Sequence, residues 1–428
     1  MTTMQGVSRG SVRRLLVALS LPTLGLAFAL SLLTTYGPVI LVRITDSPAH
    51  VGALIGGEGA FALAVPVLAG MLSDRMPATR FGRRLPLVLV GAPLLTLGLL
   101  LLPFASTYDV AGMAVLAFFV GYYLYYPPYR AMYADLLPIE MLPRAQSTQA
   151  IARGAGLGGA LLVGALLLAV WAPLPFIVGA FVLVAGSFGL VPALGRGRAR
   201  TAGDATSPDA AAQAASVRDL LLRHRPMRTF AAANALWELS FTGLRTFIVL
   251  FVVRGLGHSA TVASAVIAVV AVAYVAGAPL AARLADRYGL VPTMTWAGLI
   301  YGVGLCLGAF PTTLAPMLVL LPFVALAGAV LLTLPAALAF TVSPPGGAGT
   351  ASGIIDFSRG VGVVLGPLLV GAAISGLSGI FSATHGYAAM WPVIGVPILV
   401  SLPLLQTLGA ELQGSAQRPT ELAGAGRV

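Results

Sequence analysis

The sequence predicts an all-α membrane protein, with twelve transmembrane helices in two pseudo-symmetric six-helix bundles. Three observations predict it. Of 428 residues, 58% are hydrophobic and only 9% charged, with mean hydropathy +0.94; a soluble protein carries roughly a quarter charged residues. Apolar runs recur at about the 20-residue length a membrane helix needs, and in lipid a backbone must satisfy its own hydrogen bonds, so helices are the default. Finally, the same charged hinge separates two such runs twice. Gly70-Met71-Leu72-Ser73-Asp74-Arg75 continues through Arg80 to Phe81-Gly82-Arg83-Arg84, and Arg283-Leu284-Ala285-Asp286-Arg287-Tyr288-Gly289 follows in the second half.

In chain order, the apolar runs predict spans at 14–37, 50–72, 85–104, 109–137, 146–170 and 174–194, then 227–253, 260–283, 291–310, 315–342, 349–372 and 386–408. Arg13-Arg14 before the first run resembles an export signal, but the run is too long for a signal core and no small-residue cleavage site follows. It reads as a retained first helix. Residues 195–226, with Arg196, Arg198, Arg200, Asp204 and Asp209, read as a cytoplasmic linker, helical from Val217. The expected domains are therefore 1–194, the linker 195–226, 227–408, and a disordered tail over 409–428. Glycine and proline are compatible with membrane helices, where small residues permit close packing.

All 25 basic residues are arginine. Nineteen fall in segments that are cytoplasmic if the N-terminus is inside, Arg43 and Arg254 fall outside, and Arg130, Arg153, Arg245 and Arg359 lie within spans. This positive-inside asymmetry predicts both termini in the cytoplasm of a multi-pass protein of the cell's inner (plasma) membrane. It accounts for the net charge of +11 as a topology and lipid-headgroup signal, with no nucleic-acid partner. The absence of lysine removes the phosphate-gripping GxxxxGK[ST] motif. Gly154-Ala155-Gly156-Leu157-Gly158-Gly159 satisfies GxGxxG but lies deep in an apolar span with no preceding strand, which fits close helix packing better than a dinucleotide. The lone Cys306 reads as a buried thiol. No cofactor, metal site or enzymatic constellation is expected.

The duplication extends past the hinges. Arg153-Gly154-Ala155-Gly156 is matched by Arg359-Gly360-Val361-Gly362, and Pro128 through Pro138 by Pro335 through Pro345. Two six-helix halves related in parallel are the architecture of major facilitator transporters, and the hinge resembles that superfamily's signature loop between its second and third helices. Ser73-Asp74-Arg75 with Arg80-Phe81-Gly82-Arg83-Arg84-Leu85-Pro86 further resembles the SDR…RxGRRRP loop of the sucrose-type and glycoside-pentoside-hexuronide symporter branch. Pro128-Tyr129-Arg130-Ala131-Met132-Tyr133-Ala134-Asp135-Leu136 resembles that branch's (P)xRAxxADL segment. The sequence also departs from the branch: where plant-type sucrose symporters carry an aspartate in the fourth helix, it has Phe119, so their proton carrier does not transfer.

The resemblance implies a secondary active transporter, a monomer in the bilayer, moving a small-molecule substrate with protons. Asp74 is expected to hold the start of the eleventh helix when the protein is closed inside. Arg75, Arg83 and Arg84 are expected to pair with Asp135 and Glu140, with Asp286-Arg287 as a weaker second gate. The alternative is that these charges only anchor a tight turn in the headgroups.

Ionisable groups within spans are functional candidates by default. Glu238, mid-depth in the seventh helix, is the first choice for proton carrier against a plain structural pair, with Asp356 and Glu58 as further candidates. Arg130, Tyr122, Tyr126, Asn234 and Trp237 are the candidate substrate-binding set, although Trp237 also reads as core. Arg153, Arg359 and Arg245 are candidate ion-pair residues: Glu58 with Arg359, Asp356 sharing Arg359 at i, i+3, and Arg245 near the outer mouth. Arg153 needs a counter-charge from another helix, because Ala150 stands where Asp356 stands in the repeat. The four histidines fall in loops, so no histidine relay is expected. Proton-coupled symport of a sugar or glycoside leads this reading. Proton-driven efflux of drugs or metabolites is the rival, and a nontransporting receptor with a transporter fold is a third possibility.

Overall fold

The computed structural model describes residues 9–75, 85–136, 142–188, 190, 219–344 and 348–425. Among them are twelve principal helices and no strand: α1 (Arg9–Leu41), α2 (Pro48–Arg75), α3 (Leu85–Leu101), α4 (Tyr108–Leu136), α5 (Leu142–Val170), α6 (Leu174–Ser187), α7 (Arg225–Leu250), α8 (Ala260–Tyr288), α9 (Leu290–Leu307), α10 (Leu314–Thr333), α11 (Ala348–Gly376) and α12 (Met390–Ala425). Each expected span overlaps one of these helices, but the span expected over 315–342 breaks after Thr333, and a short helix, Pro335–Val342, follows. Ten are long and apolar enough to cross a membrane, and α6 is a shorter apolar helix. One expectation fails. The tail expected to be disordered from 409 continues α12 to Ala425, through alanine, glutamate, leucine and glutamine, all strong helix formers.

The chain divides into two compact units, Met1–Asp46 with Phe61–Ser207, and Ser47–Ala60 with Pro208–Val428. The first half of α2 thus groups with the second unit. The reason lies in its small residues. A Cβ at Gly52, Gly56 or Gly59 would collide with the backbone or side chains of α11 around Pro367, Val364 and Gly360, so glycine lets the two helices approach at the backbone.

In the first unit, α1 packs against α5 and α6, and α3 packs against α4 and α6. A Cβ at Gly156 would strike the Leu24 carbonyl, which explains part of the misleading glycine cluster as α1–α5 packing. Buried tyrosines fasten α4 to its neighbours. Tyr129 Oη lies 2.9 Å from Thr23 Oγ1, Tyr133 donates to the Leu19 carbonyl at 2.5 Å, and Tyr125 donates to Ser187 at 3.1 Å. Phe119, where the symporter aspartate would stand, is fully buried, stacked on Phe61 at 6.2 Å and edge-on to Phe118 at 5.6 Å.

In the second unit, α7 packs on α11 and α12, α8 on α10, and α9 on α12. A Cβ at Gly362 would lie 2.5 Å from the Ala235 carbonyl oxygen, and one at Gly366 would strike Leu239 and Thr242; α7 and α11 therefore touch along their backbones. The second charged hinge is a tight turn. Gly289 closes α8 at φ +89° and ψ 157° while starting α9, a backbone region essentially reserved for glycine. Past Leu250, α7 ends in a π-helical turn over Phe251–Gly255.

Candidate functional site

The charges of the second unit gather where α2, α7 and α11 meet. Glu238 sits thirteen residues beyond Arg225 in the 26-residue α7, about 20 Å along the helix at 1.5 Å per residue. Its Oε2 lies 3.8 Å from Arg359 Nε on α11, and 22% of its side chain is exposed. This is an ion pair looser than a hydrogen bond. Two turns further along α7, Arg245 Nη2 donates to Glu58 Oε2 at 3.2 Å, and only 3% of the Glu58 side chain is exposed. Arg359, Arg245, Glu58 and Asp356 all lie close enough to act on the charge of Glu238. Asp356 is exposed, one turn before Arg359.

This pairing corrects the expected one. Glu58 meets Arg245 rather than Arg359, and Arg359 meets Glu238. Arg245 is half-buried, held against Glu58 of α2. The sequence placed Glu58 and Arg359 at similar depth, but depth does not fix which way a helix is turned. The glycine contacts do: α11 presses on α7 at Gly362 and on α2 at Gly59.

Two expected substrate residues are committed to packing. Trp237 is buried, its indole N–H donates to Ser401 Oγ on α12 at 2.8 Å, and its ring meets Phe230 edge-on. Asn234 is also buried. Its amide donates to Ser358 Oγ at 2.8 Å and to the Ile355 carbonyl at 3.4 Å, clamping α7 to α11. Sequence reasoning missed this α7–α11 seam, although Gly362-Val363-Val364-Leu365-Gly366 is a GxxxG signal for close helix approach.

The first unit carries a second cluster. Phe118, Tyr122 and Tyr126 form a ladder on one face of α4, with ring centres 6.2 Å and 5.5 Å apart. Tyr122 is buried and Tyr126 half-buried. The Arg130 guanidinium stands 5.6 Å from the Tyr126 ring centre, within cation–π range. From α5, Arg153 Nη2 donates to Tyr126 Oη at 2.8 Å. Arg153, expected to need a carboxylate from another helix, meets a phenol instead. Elsewhere in this unit, a groove of about 970 Å³ between α3 and α6 is lined by apolar side chains with the hydroxyls of Thr96, Tyr125 and Ser187, and holds no charged group.

Of the expected gate, Asp286 and Arg287 are exposed at the end of α8, with the Arg287 guanidinium 5.3 Å from the Tyr288 ring centre. Arg83, Arg84 and Glu140 lie outside the described residues, as do the side chains of Asp74, Arg75 and Asp135.

Residues 230–423 match the family model of the Major Facilitator Superfamily. No curated protein sequence matches the chain significantly. Solved structures do match. A bacterial homolog of the human lysosomal transporter Spinster, inward-facing and unoccupied, has a TM-score of 0.73 at 16% identity, covering 95% of this chain and 99% of that one. The nucleoside transporter NupG matches at 0.73 and 16% identity, covering 92% and 98%, and tetrameric PepTSo2 at 0.68 and 13%, covering 94% and 99%. The sequence match to that family model thus covers the second half of the chain, and the likeness in fold to these solved structures covers almost its whole length. The matched segment does not include the first-half motifs at 73–86 and 128–136, on which the symporter-branch resemblance rests.

Proposed function

We propose that this protein is a proton-coupled secondary transporter working by alternating access, with Glu238 as the proton carrier and Arg359 as its reversible partner. One contrast carries the reading. Glu58 is sealed and hydrogen-bonded at 3.2 Å, whereas Glu238 is partly accessible and held by Arg359 only at 3.8 Å. A carrier must exchange its proton with water and then lose its counter-charge, which suits Glu238; Glu58 suits a fixed strut. Protonation of Glu238 frees Arg359, and deprotonation draws it back. Asp356, one turn away on α11, is a second acceptor. The charges of the hinges, Asp74 and Arg75 with Asp286 and Arg287, act as the cytoplasmic gate. The arginine asymmetry supports both termini inside the plasma membrane, and a monomer suffices for this cycle.

For cargo, the first-half motifs support a sugar or glycoside taken up with protons, with Arg130, Tyr126 and Tyr122 on the binding side. A second reading, proton-driven efflux of a drug or metabolite, draws support from Asn234. The chain's only asparagine is spent on Ser358 and Ile355, which leaves the site poor in the amides that hydroxyl-rich cargo needs. Proteoliposomes with an imposed proton gradient and labelled disaccharides test the proposal. Uptake that depends on the gradient and vanishes in Glu238→Gln is the expected result. Export of lipophilic cations without sugar movement favours the second reading, and gradient-driven flux that survives Glu238→Gln removes that residue as carrier.

A further inference from the structure

The two halves share the Arg-x-x-Gly element, Arg153–Gly156 and Arg359–Gly362, but they spend their other glycines differently. In the second unit, the third and sixth helices of the half, α9 and α12, are drawn together. A Cβ at Gly298 or Gly302 of α9 would strike Leu402 or Leu399 of α12, and one at Gly395 of α12 would lie 2.9 Å from the Gly302 carbonyl oxygen. Small residues thus bring these two helices to close range. In the first unit the equivalent helices, α3 and α6, each turn their glycines elsewhere. Those of α3 serve α4: a Cβ at Gly91 would lie 2.7 Å from the Gly121 carbonyl oxygen, and one at Gly98 would strike Ala114 and Phe118. Those of α6 serve α1, where a Cβ at Gly186 would lie 2.8 Å from the Leu21 carbonyl oxygen. Near one end, a Cβ at Gly179 of α6 would also lie 3.3 Å from Leu99 Cδ2 of α3. Past that contact lies the groove of about 970 Å³, its walls running from Leu100 back to Leu85 on α3 and from Val184 to Leu190 at the end of α6.

The chemistry of the groove selects its occupant. The hydroxyl hydrogens on its walls are spent internally. Thr96 donates to the Ala92 carbonyl at 2.7 Å, Tyr125 to Ser187 Oγ at 3.1 Å, and Ser187 to the Leu183 carbonyl at 2.9 Å. A sugar finds no free donor there. An ion finds no counter-charge, which makes it costly at membrane depth. Hydrocarbon fits: the rim is apolar, with Leu89 63% and Phe188 67% exposed. From Leu85 to Leu100 the wall is fifteen residues long, about 22 Å at 1.5 Å per residue. One leaflet of hydrocarbon is roughly 15 Å thick, half of the whole core, so a tail entering at the Leu85 end lies in the groove over its length. Lipid tails are as apolar as leucine, so burial alone gains little. The groove offers contact on several sides, where a convex helix surface offers it on one.

We propose that this groove is a lipid site, holding an acyl chain of a phospholipid from the leaflet at the Leu85 end. With the termini inside, that is the cytoplasmic leaflet. The chain joins α3 to α6 as the glycine contacts join α9 to α12. The inference rests on the membrane-spanning fold, and neither on proton coupling nor on the cargo.

The full-length protein, delipidated in dodecyl maltoside, is titrated with dioleoylphosphatidylcholine and with dihexanoylphosphatidylcholine, which carries the same headgroup on short tails. Thermal unfolding is the readout. The long-tailed lipid is expected to raise the unfolding temperature at concentrations where the short-tailed one does not. Ala92→Phe and Val184→Phe each put a ring into the groove. Each is expected to raise the half-saturating lipid concentration about 10-fold or more by displacing tail contacts, and either suffices should the other fold poorly. Val319→Phe, which adds a ring at an exposed apolar position of α10, is expected to titrate as the wild type does. Equal stabilisation by the two lipids, a wild-type titration in both groove variants, or the same loss in Val319→Phe overturns the proposal. So does stabilisation by tetraphenylphosphonium that both groove variants abolish while the lipid response persists, since the groove then admits a lipophilic cation. No gradient is used, so failure here and failure of proton coupling in the uptake assay are separate results.

Discussion

Neutralising Arg245 tests the charge arrangement of the second unit most directly. Its single contact with Glu58, Nη2 to Oε2 at 3.2 Å, corresponds to a gross attraction of about 5 kcal/mol at an effective dielectric constant of about 20. The net worth is smaller, because both groups have given up water. Truncating one partner of a buried pair costs about 3–5 kcal/mol, since the other charge is left behind. Arg245 Nε is buried without a hydrogen-bond partner, so one contact holds the guanidinium, and Arg245→Gln belongs at the low end, about 3 kcal/mol. Glu58→Gln is expected to cost less. The stranded group is then an arginine already 22% exposed, whose long stem lets its head reach water. The double variant removes both charges and recovers part of the loss. Unfolding in mixed micelles, measured for the wild type, both single variants and the double, yields the coupling energy. Effects that add to within about 0.5 kcal/mol would falsify the pairing and, with it, the role of Glu58 as a strut.

Three further outcomes follow, two from the α7–α11 seam and one from α5. Gly362→Val is expected to destabilise the protein by about 1–3 kcal/mol or more through overpacking and to abolish gradient-driven uptake by pushing Arg359 from Glu238. Gly154→Ala, whose Cβ would meet nothing within 4 Å, is expected to be neutral or stabilising by up to about 1 kcal/mol; melting temperatures distinguish the two. Asn234→Ala is expected to cost about 1–2 kcal/mol through the loss of its hydrogen bonds to Ser358 Oγ and the Ile355 carbonyl while leaving the substrate concentration for half-maximal uptake within about two-fold, the pattern of a residue that makes no substrate contact.

The fold was legible because hydropathy is a local property. Twelve apolar runs, the arginine asymmetry and the repeated hinge needed no knowledge of which helix faces which. The site was legible only as an inventory. Glu58, Glu238, Arg245 and Arg359 stood out as charges in hydrocarbon, yet their pairing depends on the rotation of three helices from distant parts of the chain. Glycine contacts at Gly59 and Gly362 set that rotation. Asn234 and Trp237 looked like substrate residues because polar groups in a span invite that reading. Their partners, Ser358 and Ser401, are 124 and 164 positions away, and hydroxyls are too common in such a chain to be recognised as partners. Phe119 was the clearest sequence-level warning. The structure buries it among the rings of Phe61 and Phe118.

The Arg-x-x-Gly element behaves as a reusable fitting. Its glycine sets how near the next helix comes, on Leu24 in one copy and Ala235 in the other, while its arginine arrives three residues earlier at a fixed height. Spacing and delivery are thus separable from the residue the arginine greets. After a gene doubles, a change of neighbour at one position is enough to give one copy a titratable partner and the other a neutral one. Divergence of function between the halves then needs no rebuilding of the scaffold, and a designer could reassign either arginine by editing the opposing helix alone.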